Sequence, residues 1–131
     1  MIDGKFELLG YFSLALKVLL LPDDMSIRSR KTYDGFMGKI HGEPIREIPC
    51  YLIGQIARND AFGKETISGD DLIEHAISVI SSAHQSVGGR WVLVECRNNA
   101  KLISFYADNG FTPVMHQPDG DTQMVQLVRK L

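Results

Sequence analysis

Residues 99–111 read NAKLISFYADNGF, and this stretch does most to decide the fold. Asn99 is a residue type that often caps the start of a helix, because its side chain accepts a hydrogen bond from an unpaired backbone amide. Gly110 is typical of a helix end, because glycine adopts the left-handed conformation there without steric cost. The pattern predicts a short helix over residues 99–109 and a strand that begins at Phe111.

Phe105 and Tyr106 lie next to each other near the end of this predicted helix. Phenylalanine there indicates core packing. Tyr106 has two interpretations, because its ring also suits a core while its hydroxyl can give up a proton. The sequence around it leaves both open.

The rest of the chain alternates between apolar segments and polar connections. Branched and aromatic runs predict strands at residues 6–21, 48–57, 91–96, 111–115 and 124–128. Apolar residues recur at helical spacing over residues 70–84, with acidic residues in the first turn, and predict an amphipathic helix. Residues 22–47 are polar and rich in glycine, and predict a long loop. The element order predicts an α/β (α+β) protein with a mixed sheet flanked by helices, in a single domain of residues 1–131.

Composition excludes several classes of protein. The net charge of −2 gives no general case for nucleic acid or an anionic membrane as a partner. The apolar run over residues 8–21 is interrupted by Lys17 and is too short to span a membrane. Cys50 and Cys96 form no CxxC pair and have no matching histidines, so neither a metal site nor a disulfide is predicted. Unpaired cysteines favour a cytoplasmic location.

The connection between residues 56 and 72 is a candidate anion site. A strand there leads through a glycine-bearing loop into a helix start, where unpaired amides and the helix dipole attract negative charge. Lys64 adds a positive charge, and Thr66 and Ser68 add hydroxyl donors. The alternative is an ordinary strand-to-helix connection with Ser68 as the N-cap.

Taken together, these segments resemble the GNAT superfamily (GCN5-related N-acetyltransferases), which uses acetyl-CoA. The resemblance covers about residues 8–128 and is carried by LIGQIAR at 52–58, KETISG at 64–69 and the FYxxxGF pattern that ends at Phe111. In that family a Q/R-x-x-G-x-G/A pattern carries the pyrophosphate of CoA. Lys64 takes its first position and Gly69 its last. Ile67 stands where the first glycine is expected, and we expect its side chain to narrow the approach of a phosphate.

The resemblance also implies a mechanism, in which an acceptor amine attacks the thioester directly. It assigns CoA binding to Ile56, Ala57 and Arg58 at a strand end, to Lys64, Glu65, Thr66, Ile67, Ser68 and Gly69 in the loop, and to Asn99. Asn99 equally suits a helix cap. Tyr106 becomes the general acid, because a phenol with a pKa of about 10 is protonated at neutral pH.

A general base is harder to assign from the sequence. Glu95 shares one strand face with Trp91 and Leu93, because side chains alternate along a strand. Its carboxylate is a candidate base that acts through water, and the alternative is a paired or solvated charge at a strand end. No metal site is predicted.

The N-terminus departs from the family. GNAT proteins begin with a strand and two helices, whereas this chain starts almost at the third strand and is predicted to be N-terminally truncated. Either it is a shortened version, or it completes itself by forming a homo-oligomer, since an open sheet edge invites pairing. The alternative function is therefore a non-catalytic GNAT-like subunit or partner-binding module.

The acceptor stays open at this stage. Residues 10–14, the predicted loop over residues 22–47 and residues 48–57 are similar to the arrangement in GNAT toxins that acetylate aminoacyl-tRNA. A small-molecule or peptide amine is the alternative acceptor. Arg28, Arg30 and Lys31 could meet tRNA phosphates. The acidic residues among them favour a solvated loop instead.

Overall fold

The computed structural model describes residues 8–61, 63, 66–87, 90–114 and 124–131. Its elements in chain order are β1 (Gly10–Leu20), α1 (Ile27–Asp34), β2 (Lys39–Ile40), β3 (Glu43–Pro44), β4 (Glu47–Arg58), α2 (Gly69–Val87), β5 (Trp91–Arg97), α3 (Ala100–Asp108), β6 (Thr112–Pro113) and β7 (Met124–Lys130). No helix among the described residues is both long and apolar enough to cross a membrane.

Five of the strands form one sheet in the order β1-β4-β5-β7-β6. β4 and β5 are parallel, and the other three neighbouring pairs are antiparallel. The sheet is therefore mixed, as predicted, and most of its neighbouring strands are antiparallel. β2 and β3 form a separate two-stranded ribbon.

The two faces of the sheet bury different residues, because side chains alternate along each strand. On one face, Val92, Val94 and Cys96 of β5 pack against Ile73 of α2 and Tyr106 of α3. We call this the α2–α3 face. On the other face the buried set is formed by Leu19, Leu21, Ile45, Ile48, Cys50, Leu93, Val114 and Val128, with Met25 and Tyr33 packed against it. We call this the α1 face, because α1 and its flanks cover it.

The segment predicted as a long loop is folded. Ser26 caps α1 by accepting a hydrogen bond from the amide of Ser29 at 3.1 Å, and Gly35 ends the helix with φ of 94°. Arg30 is only 3% exposed. Its guanidinium donates to the carbonyls of Pro22, Asp23, Met25 and Ile45 at 2.5–3.1 Å. The loop prediction was wrong because a buried side chain organises this segment, and polar composition does not reveal such contacts.

β1 also differs from its prediction as a buried strand. Leu16, Val18 and Leu20 point to the α2–α3 face and are 70%, 45% and 49% exposed. β1 is the outermost strand among the described residues, and α2 reaches only part of its length. Hydrophobicity alone therefore overestimated its burial.

Candidate functional site

The central feature of the site is a gap between β4 and β5. The parallel ladder joins residues 50–53 to residues 91–94, although β4 continues to Arg58 and β5 to Arg97. Past the ladder, β4 stays paired with β1 and β5 with β7. The two strands therefore separate at their C-terminal ends, which is where ligands bind in open α/β sheets.

A β-bulge lies where the strands separate. Ser13 pairs with Gln55 and Leu14 with Ile53, so Gly54 is an extra residue in β4. A bulge bends its strand and disturbs the local ladder. We infer that the bulge at Gly54 turns the end of β4 away from β5 and opens the gap.

The predicted strand-end residues line this gap. Phe12, Tyr11 and Gly10 of β1 oppose Ile56, Ala57 and Arg58, respectively, on the side away from β5. Because hydrogen-bonding groups alternate between the two edges of a strand, half of the backbone groups here face the gap. Arg58 has its Nη1 atom buried without a hydrogen-bond partner in the described part of the chain. An unpaired buried donor is costly, so this atom suits a ligand acceptor.

The start of α2 carries a capping box. Asp71 donates its amide to the Ser68 hydroxyl at 3.1 Å, and Ser68 donates its own amide to the Asp71 carboxylate at 2.9 Å. These hydrogen bonds hold the pKa of Asp71 below its usual value. The N-cap interpretation of Ser68 is confirmed. Two amides of the candidate anion site are thereby already bonded.

The structure describes part of the rest of the predicted phosphate loop. Thr66 is exposed, and its amide donates to the Gly63 carbonyl at 3.0 Å. Lys64 and Glu65 lie outside the described residues, so their predicted role stays a prediction.

Ile67 and Gly69 have structural explanations that the motif did not suggest. Ile67 is 1% exposed and packs with Leu9 and Leu72. Its side chain points into the core, so the expectation that it narrows the approach of a phosphate was wrong. At Gly69, a Cβ atom would lie 2.9 Å from the ring of Phe105. The small residue therefore allows α2 and α3 to approach closely.

Tyr106 packs on the α2–α3 face, beside the end of β5. It is 8% exposed, and its ring meets Phe105 and Phe111 edge-on with centroids 5.1 and 5.8 Å away. Burial raises the pKa of the Tyr106 hydroxyl, and the nearby Cys96 thiol raises it further. The hydroxyl is therefore protonated at neutral pH.

Asn99 caps α3. Its side-chain oxygen accepts hydrogen bonds from the amides of Lys101 at 2.9 Å and Leu102 at 3.3 Å. The structure thus confirms the cap interpretation. A role in binding the cofactor stays a prediction.

Glu95 lies on the α1 face, opposite to Tyr106. Lys17 of β1 donates to its Oε1 atom at 2.5 Å, and Gln126 of β7 donates to its Oε2 atom at 3.1 Å. The Oε1 atom of Gln126 is buried without a hydrogen-bond partner among the described residues. We call these three residues the Glu95 cluster. Sequence analysis missed Lys17 and Gln126, because only the order of strands in the sheet brings them to Glu95.

The structure therefore brings the strand end, the start of α2 and Tyr106 to one region, and separates Glu95 from them by the thickness of the sheet. Within the described residues, His, Cys, Asp and Glu side chains form no group of three that could hold a metal ion.

Solved structures share this architecture. The AtaTR structure bound with AcCoA has a TM-score of 0.67 and 26% sequence identity, and the match covers 98% of this chain and 64% of that one. AtaT complexed with acetyl-methionyl-tRNAfMet has a TM-score of 0.65 and 24% identity, over 95% and 64%. A tyrosine-to-phenylalanine mutant of the AtaT toxin has a TM-score of 0.64 and 24% identity, over 93% and 58%.

The chain thus spans less than two thirds of the length of these structures. The chain matches no family model and no curated protein. The chain has the fold of the GNAT acetyltransferases, to which AtaT and KacT belong.

Proposed function

We propose that this chain is an acetyl-CoA-dependent N-acetyltransferase. The observation that carries the proposal is the gap between β4 and β5, because it exposes backbone groups of residues 54–58 at the C-terminal end of a parallel strand pair. An extended, amide-containing ligand arm can hydrogen-bond to such groups as an additional strand would. The pantetheine arm of CoA has this chemistry.

Residues around the gap fit the rest of the co-substrate. Arg58 offers a buried N–H without a partner among the described residues, and a phosphate oxygen would satisfy it. Thr66, Ser68 and Gly69 precede or begin α2, whose dipole favours an anion. Lys64 and Glu65 belong to the same loop in sequence. This set would hold the pyrophosphate, with Ile67 anchoring the loop to the core.

The reaction is a direct transfer. The amine nitrogen attacks the thioester carbonyl carbon, the new C–N bond forms and the C–S bond breaks. Backbone amides at residues 56–58 can donate to the oxygen on which negative charge develops. The departing thiolate takes the proton of Tyr106, whose phenolate then recovers a proton from water. The raised pKa of Tyr106 keeps this proton in place until the thiolate forms.

In this proposal the two substrates approach the gap from opposite faces of the sheet. Tyr106 lies on the α2–α3 face and would meet the sulfur, whereas the Glu95 cluster lies on the α1 face. An amine that enters the gap from the α1 face would approach opposite to the leaving thiolate. Glu95 would then accept the proton lost by the amine through a water molecule. Proximity and alignment would supply most of the rate.

Aminoacyl-tRNA is the candidate acceptor that the comparisons favour. AtaT, a structural neighbour, was solved with acetyl-methionyl-tRNAfMet. Arg30 cannot contribute to phosphate contacts, because its guanidinium is buried and bound to carbonyls. Arg28 and Lys31 on α1 remain exposed, as do Arg97 and Lys101 near the gap. These four would carry the phosphate contacts.

Tyr106→Phe tests the proposal. We expect the acetyl-transfer rate to fall roughly 10²–10⁴-fold, which is the usual contribution of general acid catalysis, because only the hydroxyl is lost. The melting temperature should stay nearly unchanged, since the ring still packs against Phe111. Rates would be measured with acetyl-CoA against aminoacyl-tRNA and a panel of small amines. Tyr33→Phe, which alters a tyrosine on the α1 face, is the matched control and should keep the full rate.

Two results would contradict the proposal. A Tyr106→Phe variant with full activity would make the tyrosine a core residue only. If acetyl-CoA raises the melting temperature but no amine is acetylated, the non-catalytic module is the correct alternative.

A further inference from the structure

The side chain of Lys17 carries a primary amine to the C-terminal end of β5. Lys17 of β1 and Trp91 of β5 flank the same residue of β4, Cys50. Glu95 lies further along β5, so the Lys17 side chain must extend along the α1 face toward the C-terminal ends of β4 and β5 to meet it. The Nζ atom of Lys17 lies 2.5 Å from the Oε1 atom of Glu95.

This ion pair lies where β4 and β5 separate. The parallel ladder ends at the pair of Ile53 and Val94, and Glu95 is the next residue of β5. The side chains of Lys17 and Glu95 are 41% and 27% exposed, so solvent reaches both of them. The nitrogen of Lys17 therefore lies beside the gap, on the face from which the proposed function brings an acceptor amine.

Gln126 holds the carboxylate of this pair from the other side. Its Nε2 atom donates to the Oε2 atom of Glu95 at 3.1 Å, while Lys17 donates to the Oε1 atom. The carboxylate is thus fixed between β1 and β7, with one oxygen directed at the amine. An ammonium group in direct contact with a carboxylate can pass a proton to it without an intervening water. The Glu95 cluster therefore contains both an amine and a group that can accept its proton.

From these observations we propose that Lys17 is itself an acetyl acceptor, and that the chain transfers an acetyl group from acetyl-CoA to its own Lys17 Nζ atom. This inference rests on the proposed function, because the acetyl donor and Tyr106 keep the same roles. The acceptor differs, since it belongs to the chain and does not have to diffuse into the site. An amine held beside the gap turns a bimolecular encounter into an intramolecular step.

The transfer converts the Lys17 ammonium into an uncharged amide. The ammonium gives one proton to the Oε1 atom of Glu95, and the neutral amine attacks the thioester carbonyl carbon. The C–N bond forms, the C–S bond breaks, and the departing thiolate takes the proton of Tyr106. The nitrogen loses a second proton to water, Glu95 releases its proton, and the Tyr106 phenolate recovers one. The products are acetyl-lysine, the free thiol of CoA and one proton in solution. The acetylated side chain no longer forms an ion pair with Glu95.

The test incubates the full chain of residues 1–131 with acetyl-CoA and no added amine, and maps acetylated lysines by peptide mass spectrometry. Lys17 should gain one acetyl group, and its rate per molecule should not change when the protein is diluted about tenfold, because the step is intramolecular. Lys17→Arg should stay unmodified at this position, since a guanidinium keeps the charge beside Glu95 but does not lose its proton. Lys130→Arg is the matched control. Lys130 pairs with Trp91 at the opposite end of β5, so this variant should acetylate Lys17 at the full rate.

Tyr106→Phe separates catalysed transfer from the uncatalysed reaction of a lysine with acetyl-CoA. We expect the acetylation of Lys17 to slow roughly 10²–10⁴-fold in this variant, because the thiolate then departs without its proton donor. Equal rates in wild type and Tyr106→Phe would show that the modification is uncatalysed, and the proposal would fail.

A parallel assay with aminoacyl-tRNA and the panel of small amines distinguishes this inference from the proposed function. If an added amine is acetylated while Lys17 stays unmodified, the inference is wrong and the proposed function stands. If neither Lys17 nor an added amine is acetylated, both are wrong. A rate per molecule that rises in proportion to protein concentration would mean that one copy modifies another, which contradicts transfer within a single chain.

Discussion

At the scale of single residues, Arg30 shows how one side chain organises a segment with little structural signal of its own. The residues around it are polar, and α1 has no acidic residue in its first turn. The guanidinium donates four hydrogen bonds, to the carbonyls of Pro22, Asp23, Met25 and Ile45, and so ties both flanks of α1 together. The same contacts remove Arg30 from the basic residues available to a nucleic acid.

Arg30→Lys tests this structural role. We expect a loss of roughly 2–4 kcal/mol in the free energy of unfolding, because an ammonium group cannot reach all four carbonyls and some stay buried without a partner. Urea denaturation measures the difference. Arg28→Lys, on the exposed side of the same helix, is the matched control and should stay within about 0.5 kcal/mol of wild type. Equal stability of both variants would contradict the assignment.

Ile67 and Gly69 show a second effect at this scale. Both occupy positions that the family pattern associates with phosphate, and both have packing partners in this chain, Leu72 and Phe105 respectively. The direction of a side chain depends on the backbone around it, which a short motif does not specify. We therefore place the proposed phosphate contacts on Arg58 and on the other residues of the loop and the α2 start, and none on the Ile67 side chain.

At the scale of elements, the end of β4 and the start of α3 set the geometry of the candidate site. The bulge at Gly54 lies where β4 and β5 separate, and the capped start of α3 sets the position of Tyr106 about two turns later. Asn99 is the residue on which this placement depends, because it bonds two amides of the first turn. The main contribution of Asn99 is therefore to the stability of α3.

Asn99→Ala should lower the free energy of unfolding by about 1 kcal/mol, the usual value of an N-cap. Asn99→Ser should retain most of it, since serine is an equally good cap. Thermal melting compares the two variants with wild type. A titration with acetyl-CoA on the same samples separates the two roles of Asn99. If Asn99→Ser binds acetyl-CoA far more weakly than wild type while melting normally, the side chain also contacts the cofactor.

At the scale of the whole molecule, burial on the two faces of the sheet lowers the reactivity of its two cysteine thiols. Cys50 lies in the core of the α1 face, and desolvation raises its pKa from 9 to about 12. Cys96 lies in the core of the α2–α3 face, where burial also raises the pKa of the thiol. Both cysteines are free and buried. Neither has the exposed thiolate that reactive cysteines need.

The folded protein should therefore react slowly with a neutral thiol reagent at pH 8, and two thiols should become reactive in denaturant. The folded state holds the Cys50 proton more tightly than the unfolded state does. The stability that comes from the protonated Cys50 thiol is therefore complete below pH 9 and is lost as the pH rises toward 12. Cys50→Val should weaken this loss of stability in urea denaturation across that pH range. Rapid labelling of the native protein, or an unchanged pH profile in Cys50→Val, would contradict the burial of Cys50.

Local patterns in the sequence determined most of the secondary-structure elements of this protein. The amphipathic helix at α2, the glycine that follows α3, the Ser68 cap and the strands β4 and β5 are all readable within a dozen residues, because helix caps and hydrophobic periodicity are local effects. The FYxxxGF segment, together with LIGQIAR at 52–58 and KETISG at 64–69, indicated the GNAT fold. The resemblance to that family also predicted site roles for Tyr106 and for the end of β4.

Tertiary structure alone decided how these parts meet. The ion pair between Lys17 and Glu95 joins residues 78 positions apart, through two intervening strand pairings. The separation of β4 from β5, the opposite faces of Glu95 and Tyr106, and the exposure of Leu16 on β1 all depend on the order of the strands in the sheet. Strand order depends on which non-local pairings bury the most apolar surface, and that balance involves the whole chain. For this reason the sequence predicted the elements of the site but not the gap between them.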